Sequence, residues 1–419
     1  MECHNNTVSL HIESYEEQMT DTNNNHRDTS RAATSGAYAD SKPHYELLDG
    51  LRGVAALLVL WYHVHEGFAF AGGQPVVNDI NHGYLAVDFF FMLSGFVIGY
   101  AYDDRWGRGL TTGRFFRRRL IRLHPMVIMG AVIGLICFLI QGAQQWDGTR
   151  ATAGGIMTAL LCAMLFIPAM PGGIYEVRGN GEAFPLNGPA WSLFFEYIGN
   201  IIYALLIRRL HTATVAVMTA LLGVGLTAFT WLNLSGYDML GVGWTMGEYG
   251  LLTGGLRMLF PFTAGIMISR IFTPCRVRGA FWLCAVILLL LFSIPYIPSD
   301  GSISLNGVYE SFCIVLVFPV LVWLGASGTT TDGLSSGVCK FLGDISFPLY
   351  ITHYPVMYLF YAWMIHTGKH TMGETWPAAL GVMALNVAVA YACLRLYDEP
   401  VRKWLARRFT AAGRRRPQS

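Results

Sequence analysis

The chain has 419 residues, 53% of them apolar and only 13% charged, with a formal net charge of +2. Soluble proteins carry roughly 25% charged residues, so too little charge is present to cover a water-facing surface. That excludes an ordinary cytosolic enzyme and a disordered protein, and the near-zero net charge offers no footprint for nucleic acid. The composition predicts a polytopic membrane protein.

In chain order, residues 1–43 are polar and rich in Asn, Thr and Glu, which predicts a disordered cytoplasmic tail with no signal-peptide pattern. A membrane domain over 44–405 follows, and then a basic cytoplasmic tail, 406–419, suited to anionic lipid. A helix needs about 20 apolar residues to cross the bilayer core. The first candidate is 47–65, apolar but carrying Asp49, Arg52 and His63. Nine more follow at 84–102, 121–140, 190–207, 213–234, 254–270, 279–297, 306–325, 341–365 and 376–397. The apolar stretch 156–167 is too short to span and is closed by Pro168 and Pro171, so it reads as a re-entrant or interfacial helix.

Charge orients the spans. With ten spans and an inner N-terminus, 24 lysines and arginines fall on the cytoplasmic side and 3 on the outer side. Counting 156–167 as an eleventh span gives 12 inside and 15 outside, which violates the positive-inside rule. The expected fold is an all-α bundle of about ten transmembrane helices plus one short helix, with both termini cytoplasmic. Six of the eight cysteines lie in or beside apolar stretches and there is no CxxC pair, so neither a disulfide frame nor a metal site is expected.

Charged groups inside lipid cost about 2.5–3.5 kcal/mol each on insertion scales, and those retained are candidates for function. Arg52 and His63 are eleven residues apart, on one helix face, about 16 Å from each other along the axis. Counted at ~1.5 Å per residue, Arg52 lies about 8 Å from the inner boundary. His63 and Asp88 come out at about 24 Å, Glu196 at about 21 Å and His353 at about 18 Å. Proton-handling groups therefore gather in the outer half and guanidiniums at the inner pole, where Arg114, Arg117, Arg118, Arg119 and Arg122 open the third span.

Each of these groups has a structural alternative. The arginine run also serves as a positive-inside anchor, and Asp88 also suits a pair with Arg52 or a nearby hydroxyl. Glu196 also suits an interfacial position, and His353 a hydrogen-bonded packing role. His65 and Glu66 read as solvated residues at the outer lip. Buried Arg, His and Glu also suit a glycan or lipid transporter with substrate and proton-relay groups, although no internal repeat is visible.

The segments LLDGLRGVAALLVLWYHV, VDFFFMLSGFVIG, FFRRRLIRLHP, WSLFFEY, FLGDISFPLYITHYPV and YDEPVRKWL occur in this order. Together they resemble the acyltransferase-3 family of integral-membrane O-acyltransferases over roughly residues 45–405. The resemblance implies transfer of an acyl group, commonly acetyl from acetyl-CoA and without a metal, to a hydroxyl of a glycan, lipid-linked sugar or small natural product. An exopolysaccharide or surface polysaccharide unit is the expected acceptor, in a bacterial inner membrane.

On this resemblance the family's Arg-x10-His pair falls on Arg52 and His63, its arginine motif on Arg117 to Arg122, and its Trp-Ser-Leu-x-x-Glu on Trp191, Ser192 and Glu196. The expected catalytic residues are His63, Glu196 and Asp88, with His63 as general base or transient acyl carrier and Glu196 orienting the histidine or the acceptor. Arg52, Arg118, Arg119 and Arg122 are expected to bind donor phosphates, and Trp191, Ser192 and His353 the acceptor. Phe347 stands where the pattern commonly has Tyr. Many members carry a fused extracytoplasmic hydrolase-like domain; its lack here implies that the membrane domain acts alone or passes the acyl group to a separate partner.

Overall fold

A computed structural model describes residues 45–73, 80–247, 249–275, 277–299, 301–328 and 333–410. The expectations for the 1–43 tail and for the end of the basic tail, 411–419, lie outside the described residues. The chain divides into a main unit, His44–Glu399, and a second unit that includes Pro400–Ser419. In the second unit the Arg408 guanidinium lies 5.9 Å from the centre of the Trp404 ring.

The main unit is built from helices: α1 (Glu46–Gly72), α2 (Ala86–Tyr102), α3 (Thr112–Ile140), α4 (Ala153–Leu165), α5 (Ala190–Leu205) and α6 (Thr212–Trp231). After these come α7 (Gly250–Ile271), α8 (Ala280–Ser293), α9 (Leu305–Ser327), α10 (Gly333–Thr367) and α11 (Met372–Cys393). Side-chain caps mark several starts: Thr111, Thr152 and Ser304 accept the orphan N–H of Arg114, Gly155 and Gly307. Both α9 and the run after α11 carry a π turn, at Cys313–Val317 and Leu394–Asp398.

Among the described residues, eight helices are long and apolar enough to cross a membrane. The expected ninth span lies within α10, whose tyrosines, prolines and His353 lower its hydropathy; that helix carries much of the candidate site. The expected span 279–297 is only partly helical. Its helix, α8, has 14 residues and ends at Ser293, because Pro295 and Pro298 forbid continuation. The backbone beyond it is satisfied by pairing: His82 N–H donates to the Ile294 carbonyl and Tyr296 N–H to that of Ile80. Irregular backbone next to an apolar helix is tolerated where the protein itself supplies partners. The short stretch 156–167 forms α4, a 13-residue helix that stops at Phe166 in a left-handed conformation.

Outward faces are apolar. Val217, Leu221 and Val224 on α6 are each at least 60% exposed, a face suited to lipid and costly in water. Close contacts between helices rely on glycine. A Cβ at Gly53 would sit 2.3 Å from the Leu342 carbonyl oxygen, and one at Gly67 would sit 2.5 Å from the Tyr361 ring. Small residues let backbones approach where lipid gives no hydrophobic drive, so α1 lies directly along α10. Gly95 and Gly265 do the same for α2 and α7, at 2.0 Å from Phe262 O and 2.1 Å from Met92 O.

Candidate active site

The α1–α10 contact assembles the site from two ends. At one end Arg52 donates through Nε to Ser346 Oγ at 2.9 Å and pairs through Nη2 with Asp49 Oδ1 at 2.8 Å. At the other, three turns along α1, His63 Nδ1 lies 2.7 Å from Glu66 Oε2. The same carboxylate accepts hydrogen bonds from Tyr354 at 3.1 Å and from Tyr62 at 3.4 Å, and it shares the single Tyr361 proton, at 3.1 Å, with the nearer His63 carbonyl at 2.6 Å.

Glu66 is therefore not a solvated lip residue. Three phenols and an imidazole hold it, and a carboxylate facing Nδ1 requires the proton there. That leaves Nε2 of His63 as the lone-pair nitrogen, the arrangement a general base needs. The signal was legible as His-x2-Glu at i, i+3 on one helix face.

At the Arg52 end lies a cavity of about 90 Å³. Arg52, Arg119 and Arg122 line it together with Ser94, Glu196 and Ser346, and Ser192, Phe347 and Tyr350 line it too. Arg119 Nη2 donates to Glu196 Oε1 at 2.6 Å, and Ser94 Oγ donates to the same oxygen at 2.8 Å. The carboxylate beside the arginines is thus Glu196, and the one beside His63 is Glu66. Three guanidiniums meet two carboxylates, Asp49 and Glu196, so the region keeps a positive excess. Arg119 Nε is buried without a partner, a free donor suited to an anion. Arg118 is half-buried and does not line the cavity.

Ser192 Oγ and the Tyr350 hydroxyl are 2.6 Å apart, and Ser192 also donates to the Pro189 carbonyl at 3.0 Å. One turn beyond Tyr350, His353 is fully buried, with Nδ1 at 2.8 Å from the Tyr350 carbonyl and 3.1 Å from that of Leu349. Its ring centroid is 5.1 Å from that of His63. Neither histidine lines the cavity; of its lining residues, Tyr350 has its ring centroid 5.9 Å from that of His353.

Asp88 has a different partner from the one sequence suggested. It makes a fully buried two-pronged pair with Arg257, at 2.6 and 3.1 Å, and Arg257 also donates to the carbonyls of Tyr84 and Val242. The Trp191 ring packs 5.3 Å from the Arg257 guanidinium. Arg257 was visible as a charge well inside the 254–270 span, apart from Arg270 at its end. Glu182 and Arg178, in the loop before α5, meet α10: Tyr358 of α10 donates to the buried Glu182, and Arg178 packs 3.4 Å from the Tyr358 ring centre. Burial, with the charge of Glu66 adding to it, pushes the Glu182 carboxyl up to about 7. Among the described residues, no group of three His, Cys, Asp or Glu side chains is placed to hold a metal ion.

Residues 45–395 match the acyltransferase domain of the acyltransferase 3 family. The chain belongs to this family. Among its relatives is the acyltransferase MdmB of Streptomyces mycarofaciens, 26% identical over 88% of this chain and 93% of its own. The exopolysaccharide production protein ExoZ of Rhizobium meliloti is 23% identical over 82% of this chain and 98% of its own. The peptidoglycan O-acetyltransferase OatA of Listeria monocytogenes is 23% identical over 87% of this chain, which spans 56% of that protein. No solved structure matches the chain. Family membership makes the protein a membrane acyltransferase that uses an acyl donor.

Proposed function

We propose that the protein moves an acetyl group from acetyl-CoA, taken from the cytoplasm, to a hydroxyl of a glycan presented on the outer side of a bacterial inner membrane. Arg52, Arg119 and Arg122 bind the donor's phosphates, with Arg118 at the rim of the same basic pole. The lone Nε donor of Arg119 and the positive excess fit that anion, since guanidinium pairs well with phosphate oxygens. Glu196 and Ser94 hold Arg119 in place, and Ser192 and Tyr350 line the same cavity.

The observation that carries the reading is the His63–Glu66 pair at the end of α1 opposite Arg52. Glu66 keeps the proton on Nδ1, so Nε2 removes the proton of the acceptor hydroxyl as its oxygen attacks the thioester carbonyl. The C–S bond breaks, and the proton passes from His63 to the departing thiolate. Glu66 and its three phenols stabilise the transient imidazolium. Asp88, bound to Arg257, acts at one remove by fixing α2 on α7, and Trp191 packs on that pair; His353 faces the acceptor. Both termini are on the donor side.

The acceptor class is tested by mass spectrometry of surface glycans from cells with and without the gene. Loss of one acetyl increment from a polysaccharide repeat unit is expected. An unchanged glycan with an altered small metabolite would move the acceptor to another class.

A further inference from the structure

The loop before α5 closes on two tyrosines of α10, and one of them touches both members of the catalytic pair. Tyr354 donates to Glu66 Oε2 at 3.1 Å, and its ring centroid lies 4.5 Å from that of His63 with the planes at 70°. One turn along α10, Tyr358 packs against Tyr354 in an edge-to-face arrangement at 4.6 Å. The loop holds Tyr358 twice: Glu182 accepts its hydroxyl proton, and the Arg178 guanidinium lies 3.4 Å from its ring centre. Arg178 is itself fixed, through Nε to the Pro185 carbonyl at 2.5 Å and through Nη1 to Gln141 Oε1 at 2.8 Å. Asn187 adds a bond to the α10 backbone, from Nδ2 to the Ile351 carbonyl at 2.8 Å.

Gly188 makes the closest approach. A Cβ there would sit 3.0 Å from Cε1 of Tyr354 and 3.1 Å from the Tyr358 hydroxyl oxygen, inside the ~3.5–4.0 Å of ordinary contact. Its φ is not positive, so space beside the two rings, and not backbone conformation, is what favours glycine here.

We propose that Tyr354 is the positioning residue of the general base, set in place by the loop segment from Arg178 to Gly188. The proposal rests on the acyl-transfer reading and adds what keeps its base aligned. A single hydrogen bond from Nδ1 to Glu66 is a pivot about which the imidazole can swing, whereas a ring packed on the imidazole and bonded to the carboxylate couples the two. No bond forms or breaks at Tyr354. Misplacing a reacting group by ~1 Å costs on the order of 100-fold in rate, so a loop that fixes this ring governs turnover without touching the donor.

The test is a double-mutant cycle on the full chain in its membranes, following labelled acetyl from acetyl-CoA into the glycan fraction, with maximal rate and acetyl-CoA KM read separately. Gly188→Ala is expected to lower the maximal rate about tenfold and Tyr354→Leu about 100-fold. Neither residue lines the arginine cavity, so the KM is expected to stay within twofold. Tyr354→Phe keeps the ring and is expected to recover most of the loss seen in Tyr354→Leu. In the Tyr354→Leu background Gly188→Ala is expected to cost less than twofold, because the ring it displaces is gone. A Gly188→Ala loss equal in both backgrounds, or one carried by KM, would overturn the proposal.

A second arm needs no turnover. In nanodiscs with 15N-labelled histidine, the His63 Nδ1 signal, assigned by its loss in His63→Gln, is expected to move in Gly188→Ala and further in Tyr354→Leu. An unmoved signal overturns the proposal. Where Gly188→Ala does not accumulate, Tyr354→Leu decides, and a parent rate or an unmoved signal there overturns it as well. A signal that moves in both variants while the parent transfers no acetyl leaves the positioning role standing and counts against acyl transfer.

Discussion

Replacing Glu66 by Gln tests the catalytic pair with little change in shape. The carboxylate receives Nδ1–H of His63 at 2.7 Å and three tyrosine hydroxyls. The amide retains an acceptor oxygen but loses the charge that offsets a protonated His63. A hydrogen bond to a charged group contributes about 1.5–3 kcal/mol, and each ~1.4 kcal/mol on a barrier is tenfold in rate. The expected loss in kcat/KM is therefore about 10- to 150-fold. The amide N–H2 can also face Nδ1 and invert the tautomer, which pushes the loss toward the upper end.

The assay is transfer of labelled acetyl from acetyl-CoA to the glycan fraction of membranes containing the variant, with CoA binding followed separately by thermal shift. Glu66 does not line the arginine cavity, so CoA binding is expected to stay within twofold of the parent. A Glu66→Gln protein that transfers acetyl at the parent rate, or one that loses transfer and CoA binding together, would refute the reasoning.

Three further outcomes follow from the geometry. Arg119→Ala is expected to abolish the thermal shift given by CoA, while Arg118→Ala, outside the cavity, keeps most of it; equal effects would show that the run acts as a diffuse anchor. Asp88→Ala leaves Arg257 buried and unpaired, a loss of about 3–5 kcal/mol, read as a large drop in the unfolding midpoint in detergent; an unchanged midpoint contradicts the structural role given to the pair. Glu182, raised by burial to about 7, contributes stability that is complete below its unfolded value near 4.5 and is lost as pH rises through about 7. The difference in unfolding free energy between parent and Glu182→Gln is expected to grow in the variant's favour across that window, by up to about 3 kcal/mol, and a pH-independent difference would refute it.

Helix positions were legible because lipid imposes them: apolar runs of span length must satisfy their own backbone, and every expected span contains a helix. Where the reading fell short, tertiary contacts decided. Pro295 shortened α8, and partners from residues 80–82 that no periodicity reveals made the break tolerable. The Arg52–His63 face was readable from an eleven-residue spacing, since it lies within one helix. The partner of Asp88 was not, because Arg257 comes from five helices later and meets it only through the glycine-mediated approach of α2 and α7. Glu66 was within reach of a helical-spacing argument, but its burial depends on Tyr354 and Tyr361 of α10. Glu196 shows the reverse case: its depth was estimated near that of His63, yet Arg119 draws the side chain toward the basic end.

The central claim is a division of labour along α1, with Arg52 serving the donor and His63 the chemistry. It is tested most directly by measuring CoA binding and acetyl transfer side by side in Arg52→Ala and His63→Ala. The account predicts that His63→Ala binds CoA as the parent does and transfers nothing, whereas Arg52→Ala is impaired in both. A His63→Ala protein that still acetylates its acceptor at the parent rate would contradict it.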